Sequence, residues 1–403
     1  MSIFHIWPEE PHLRNGNQVL SATLEMPTIG KERLWYSVPE NQKNNLCENA
    51  DPFVVGAIYR IMECGFDVKV HGTLSPSLIR NLEEYQAAWS EWLPSLKRVR
   101  IHADREEETV LLHDRTDAII PFSAGVDSCF SAYRHARSFG PQVPHKITIA
   151  IMVQGFDIPL DDSVGFHLSV EKSGALLNSL NIELIPISTN FRELVTDWSH
   201  SFGSALVSCL SLFSGRFSVG LVGQGLTYSE CSLLHEGSNP LTDALLSSDS
   251  FRIVPDGTGF TRADKIYAMR DWDEFLHHLR VCWQGEQRDR NCCACEKCIR
   301  NILTFRALGL GLPPCFPIDV DDATLEMIGL GGEALSEIRY AGLRDLAEKA
   351  GTQGKWNDIL DARLDRIRRK RERKRNTQGM SYVISRIRHK MAVRTRLKKL
   401  IGT

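Results

Sequence analysis

Residues 118–128, Ala-Ile-Ile-Pro-Phe-Ser-Ala-Gly-Val-Asp-Ser, run from a short apolar strand straight into a loop of small and hydroxylated side chains that opens a helix. Small residues at Ser123, Ala124 and Gly125 let backbone N–H groups come close to an anion, and a helix start adds unpaired N–H groups and the positive end of a dipole. The hydroxyls of Ser123 and Ser128 add donors, and Asp127 is suited to hold Mg²⁺ beside phosphates. Ser123, Ala124, Gly125, Val126, Asp127 and Ser128 are therefore the candidate phosphate-binding residues. The plain alternative is an ordinary strand-to-helix turn.

Downstream of this stretch the pattern repeats. Apolar runs at 118–122, 147–153, 182–187 and 218–222 alternate with helical spacing at 128–139, 164–180 and 201–213, and residues 271–282 also read as helical. That alternation predicts an α/β fold built on a doubly wound parallel sheet, with ligands at the carboxyl ends of its strands. Upstream, residues 1–115 read as a small α+β domain. Its expected strands lie at 19–24, 34–38, 66–70 and 99–103, and its helices at 51–64, closed by Gly65, and 75–92. The expected organisation is this N-terminal domain, a nucleotide-binding domain over 116–312, a helical extension over 313–362 and a basic tail over 363–403.

The 403-residue length exceeds what one core usually reaches, ~250–300 residues, and calls for more than one unit. With 42% hydrophobic and 24% charged residues, neither disorder nor a fibrous architecture fits most of the chain. No apolar run approaches the ~20 residues that span a bilayer, and residues 1–10 lack a basic-then-apolar leader, so the expected location is the cytoplasm.

Four cysteines, Cys282, Cys292, Cys295 and Cys298, have the spacing of a metal knot. Four thiolates complete a tetrahedral zinc site with no open position, which makes the ion structural. An iron–sulfur cluster takes the same four ligands and remains the alternative, and Cys293 is a spare that can stand in for Cys292. Arg288, Arg290, Lys297 and Arg300 are placed to offset the thiolate charge.

The loop followed by the knot resembles the PP-loop ATP pyrophosphatase superfamily (adenine nucleotide hydrolase-like fold), and within it the 7-cyano-7-deazaguanine synthase (QueC) family, over residues 117–308. Ala124 stands where that loop has its first Gly, and Gly125 keeps the second. The exchange costs little only where the backbone avoids positive φ. Thr261-Arg262-Ala263-Asp264 resembles the family's Thr-Lys-x-Glu signature, with Arg262 in the lysine's place. The family's Pro-Asp-Cys-Arg stretch has no counterpart here.

The resemblance implies ATP and Mg²⁺ at residues 123–128, Zn²⁺ on the four cysteines, and an AMP-forming ligase that adenylates a carboxylate for attack by an amine. A 7-deazaguanine is the family's substrate, and longer relatives in phage-defence clusters imply a protein acceptor. Asp127, Arg262 and Asp243 are the candidate catalytic residues, Asp243 for Mg²⁺ or for orienting the amine, or else as a helix cap. His235 and Glu236 in the long 223–259 connection offer an acid–base pair, or are plain loop residues. Other readings are a tRNA-modifying enzyme of the same superfamily and a non-catalytic nucleotide-binding scaffold.

From Arg363 onward sixteen Lys and Arg face two acids, on an otherwise acidic chain. Such a tail suits an anionic membrane surface, RNA phosphates or the chain's own acidic body. With Tyr382 as its sole aromatic, base-specific RNA reading is not expected. A homo-oligomer is compatible with all of this.

Overall fold

The computed structural model describes residues 2–109, 117–140, 142–231, 233–327, 333–369 and 372–373, with backbone only for 333–338. These fall into two compact units, Met1–Cys292 with Pro313–Pro317, and Cys293–Leu312 with Ile318–Thr403. The basic tail beyond 373, expected to meet a membrane, RNA or the acidic body, lies outside the described residues. No described helix is long and apolar enough to cross a membrane.

The first unit is organised by one sheet. Its strands are β1 (Phe4–Pro8), β2 (His12–Arg14), β3 (Asn17–Met26), β4 (Gly30–Pro39), β5 (Val68–Leu74), β6 (Ile101–Glu106), β7 (Asp117–Pro121), β8 (Lys146–Gln154), β9 (Glu183–Thr189), β10 (Val219–Gly223) and β11 (Arg252–Asp256). They run in the order β11-β10-β7-β8-β9-β4-β3-β1-β5-β6, with β2 paired to β3. From β11 to β9 every pairing is parallel. Counted along the chain from β7, that half reads 3-2-1-4-5, so the chain reverses its direction of travel across the sheet between β7 and β10. A crevice outside the carboxyl ends of two such strands is where α/β sheets place ligands.

Helices of this unit are α1 (Asp51–Cys64), α2 (Pro76–Trp92), α3 (Val126–Ala136), α4 (Ser163–Asn178), α5 (Phe191–Leu194), α6 (Trp198–Ser211), α7 (Tyr228–Cys231), α8 (Arg262–Ala268) and α9 (Asp273–His278). Right-handed crossovers put α3 and α4 on one face and α6 on the other. The packing agrees: α3 lies against α8 and α4 against α9, while α6 lies against α1. The reading of α1 holds to the residue. Its apolar positions Val54, Val55, Ile58, Ile61 and Met62 are all buried, and Gly65 closes it at φ 70° with its N–H on the Ile61 carbonyl at 2.9 Å.

The sequence reading divides the chain at 115/116, whereas the sheet runs across that division. β4 pairs antiparallel to β9 through Tyr36↔Thr189 and Ser37↔Ser188. Side chains extend the seam, with Asn190 Oδ1 accepting from Trp35 N at 3.0 Å, Asn190 Nδ2 donating to Arg33 O at 2.7 Å and Thr189 Oγ1 donating to Trp35 O at 2.8 Å. A single apolar cluster, from Phe4 and Tyr36 through Trp89 to Ile119, Leu210 and Ile253, lies beneath both parts.

Three further differences concern local structure. β1, β2 and β11 go beyond the expected strands. The 223–259 connection is not one open loop but holds α7, a 3₁₀ turn at Asp243–Leu246 and β11. Residues 271–282 are helical only over α9, because Arg280 N is drawn off to Ala124 O at 2.9 Å and Leu279 O accepts from Asn291 Nδ2 at 2.8 Å.

The second unit contains α10 (Glu296–Ala307), α11 (Asp322–Met327), α12 (Glu333–Ala350) and a helical stretch at 355–369. α10 packs on α12, tied by Tyr340 Oη to Glu296 Oε1 at 3.1 Å, and Thr352 Oγ1 donates to Ala307 O at 2.7 Å.

Candidate functional site

The loop after β7 lies at the carboxyl end of the first strand of the β7–β11 parallel half, and α3 leaves from it. Its two serines close it internally: Ser123 N donates to Ser128 Oγ at 3.3 Å, and Ser128 Oγ donates to Gly125 O at 3.1 Å. Gly125 is the N-cap residue of α3 and has no side chain with which to cap the helix. Ala124 sits at φ 57°, the left-handed region that disfavours a Cβ. The Gly-to-Ala departure therefore falls where it does cost. Ala124→Gly should stabilise the protein by about 1 kcal/mol in urea unfolding, since the strain goes with the Cβ.

Asp127, in the first turn of α3, is held from across the crevice. Lys265 Nζ donates to its Oδ1 at 2.8 Å and Arg262 Nη2 to its Oδ2 at 3.0 Å. Both cations come from α8, whose entry explains the Thr-x-x-Asp pattern. Thr261 Oγ1 accepts from Asp264 N at 3.2 Å and Asp264 Oδ2 accepts from Thr261 N at 2.9 Å, a reciprocal cap that fixes where Arg262 and Lys265 emerge. Sequence reasoning missed Lys265. It stands three residues after Arg262 on the same helix, and that spacing was the available signal.

Lys265 is only 2% exposed in its side chain, and besides Asp127 its ammonium donates to the Gln224 carbonyl just past β10. The ammonium thus ties the start of α3, which follows β7, to the end of β10, across the reversal point. Gly223 completes the approach, because a Cβ there would lie 2.7 Å from Asp127 O. A second missed residue, buried Arg280, donates from Nη2 to Ser123 O and from Nη1 to Cys282 O and Arg288 O, each at 3.3 Å. It holds the loop against the segment that carries Trp283 and Arg288.

Asp243 is fully buried. Its Oδ2 accepts from Gln224 Nε2 and Ser238 Oγ, each at 2.7 Å, and its Oδ1 from Asn239 N at 3.0 Å. It ties the 224–243 connection together and is the first residue of the 3₁₀ turn rather than its cap, a position held by Thr242. Burial pushes its carboxyl up to about 6 from the ordinary 3.8, against these three bonds. The folded chain thus holds this proton more tightly than the unfolded one. The contribution to stability is full below about pH 4 and is lost as pH rises through 6, by about 3 kcal/mol. Unfolding free energies at pH 4 and pH 7 should differ by that much more in the wild type than in Asp243→Asn.

His235 stacks on Trp92, with ring centroids 4.4 Å apart and planes 11° apart, and burial with nearby His200 lowers its proton affinity. The connection is seated tightly on α6, since a Cβ on Gly203 would meet Gly237 O at 1.9 Å. Glu236 is half-buried beside it.

A cavity of about 340 Å³ opens past the ends of β8 and β9, lined by Gly155, Phe156, Thr189, Arg192, Trp283 and Arg288 among others. The Arg192 guanidinium lies 5.1 Å from the ring centre of Trp198 and 5.8 Å from that of Trp283, and donates to Phe156 O at 2.5 Å. The lining carries the guanidinium groups of Arg192 and Arg288, the carboxylate of Glu193 and the rings of Phe156 and Trp283, a net positive wall that suits an anion with an apolar or planar body.

The thiol sulfurs of Cys282, Cys292, Cys295 and Cys298 all lie within 4.8 Å of one another, so the four could hold a metal ion such as zinc. Cys295 is the N-cap of α10 and Cys298 is in its first turn, where the helix dipole favours thiolate. Cys282 Sγ accepts from Gln284 N at 3.3 Å. Of the basic residues expected to offset the charge, Arg288 donates to Trp283 O at 3.1 Å and Arg290 pairs with Asp289 at 3.5 Å. Cys293, left out of the cluster, turns the chain at φ 59°.

No family profile, curated protein or solved structure matches this chain.

Proposed function

We propose that the protein is an ATP-dependent, AMP-forming ligase of the PP-loop type that adenylates a carboxylate and passes the acyl group to an amine, with a structural zinc on its four cysteines. The observation that carries this reading is the Ser-Ala-Gly-Val-Asp-Ser loop at the reversal point of a 3-2-1-4-5 parallel sheet. Sulfurs within 4.8 Å favour one zinc, whose ~2.3 Å bonds bring four thiolates this close, over a multi-iron cluster that would hold them apart.

In this reading the triphosphate lies on the N–H groups that open α3, with Arg262 within reach of it. The carboxylate substrate occupies the Arg192–Trp283–Arg288 cavity, near the loop through Arg280. A carboxylate oxygen attacks the α-phosphorus, the bond to the bridging oxygen breaks, and pyrophosphate leaves with its charge met by loop N–H groups and Arg262. The amine then attacks the acyl carbon and AMP departs. Mg²⁺, when bound with the nucleotide, would neutralise further phosphate charge. A 7-deazaguanine acid and a protein amine remain the first candidates for the two partners, the latter within an anti-phage system.

Incubation with ATP, Mg²⁺, ammonia and a panel of carboxylates that includes 7-carboxy-7-deazaguanine should yield AMP and pyrophosphate, and Asp127→Ala should lose them. A second reading, a nucleotide-binding protein without turnover, is favoured by the cations already on both Asp127 oxygens. ATP binding with no AMP from any carboxylate would select it, and no ATP binding would end both.

A further inference from the structure

Building on that ligase reading, the geometry around Asp127 contains a conflict. A divalent ion beside the phosphates needs a carboxylate oxygen, yet Oδ1 is taken by Lys265 and Oδ2 by Arg262. The two cations differ in how firmly they are held. Lys265 is buried, and its ammonium also serves the Gln224 carbonyl and lies 6.0 Å from the Phe130 ring centre. Its departure would leave a buried carbonyl and a carboxylate oxygen without that donor, a costly exchange. The Arg262 side chain is 23% exposed and engages Asp127 through one nitrogen, which leaves most of its guanidinium donors for another acceptor.

We propose that the Asp127 carboxylate is divided between a fixed and an exchangeable partner. Lys265 is the permanent tie that joins α3 to the end of β10. Arg262 is a latch: a polyphosphate arriving on the loop draws it from Oδ2, and only then is that oxygen free for a divalent ion. Arg262 thereby makes metal uptake follow nucleotide uptake and keeps the empty site from collecting metal. Gly225 is next to Oδ2, where even an added Cβ would make only an ordinary contact, at 3.6 Å.

The latch makes an unusual prediction, that removing a cation creates metal affinity. Free Mn²⁺, followed by electron paramagnetic resonance in the absence of any phosphate compound, should bind Arg262→Gln about ten- to a hundredfold more tightly than the wild type, the equivalent of one charge-assisted hydrogen bond. Arg262→Lys should restore masking, and Asp127→Asn with Arg262→Gln should abolish the gain. The proposal falls if Arg262→Gln gains nothing, if the wild type already binds Mn²⁺ as tightly, or if the gain survives in the double variant. None of these arms contains nucleotide. Binding of a methylene-bridged ATP analogue to the wild type in EDTA separately tests the ligase reading on which the latch rests.

Discussion

Protein isolated without chelator should carry one equivalent of zinc, and Cys298→Ser should lose it together with a large share of its stability. Cys298 is fully buried, in the first turn of α10, and its sulfur lies within 4.8 Å of those of Cys282, Cys292 and Cys295. Four thiolates this close repel one another unless a cation neutralises them, so the ion's binding free energy is also folding free energy. For free zinc a thousandfold above its dissociation constant this amounts to about 4 kcal/mol. Elemental analysis with thermal unfolding, before and after a strong chelator, reads both quantities. Stoichiometric iron with visible absorbance would replace zinc by a cluster, and an unchanged midpoint after chelation would show that the cysteines do not hold a structural ion.

Lys265→Met is expected to lower the unfolding free energy by about 3 kcal/mol, the lower end of the cost of removing one partner from a buried pair, because Arg262 still faces Asp127. Methionine fills the same volume but offers nothing to the Gln224 carbonyl or to Asp127 Oδ1, both of which the ammonium serves. The loss should appear in urea unfolding whether or not ATP is present. A change under about 1 kcal/mol would mean that water replaces the ammonium and that the crevice is not closed by it.

The parallel half of the sheet was legible because β7 and β8 are buried on both faces over Ala118–Ile120 and Ile149–Met152 and so read as apolar runs, while β9 shows the alternation of a strand with one buried face, Ile185 and Ile187 inward. The strand-to-helix junction at Ser123–Ser128 was legible for a related reason, since its small and hydroxylated residues are consecutive and directly follow the β7 run. β1 was not, because Phe4-His-Ile-Trp-Pro8 is short and mixes ring residues with a closing proline. β11 hides behind a serine-rich stretch and contains Pro255. The partners of Asp127 are 135 and 138 positions away, and only the fold shows that α8 faces α3. Asp243 was visible as a residue but not as a buried one, because its burial depends on Gln224 and Ser238 closing over it.

The seam between β4 and β9 makes the first hundred residues the selvedge of the sheet rather than an attachment to it. Severed near residue 116, the remainder would present β9 as a raw edge, with Thr189 and Asn190 stripped of the backbone groups they now grip on β4. Such an edge invites pairing with other chains. The parallel half is thus not a portable cassette: a recombination or expression boundary placed there would yield a sticky fragment, and inheritance of the two halves is expected to be joint.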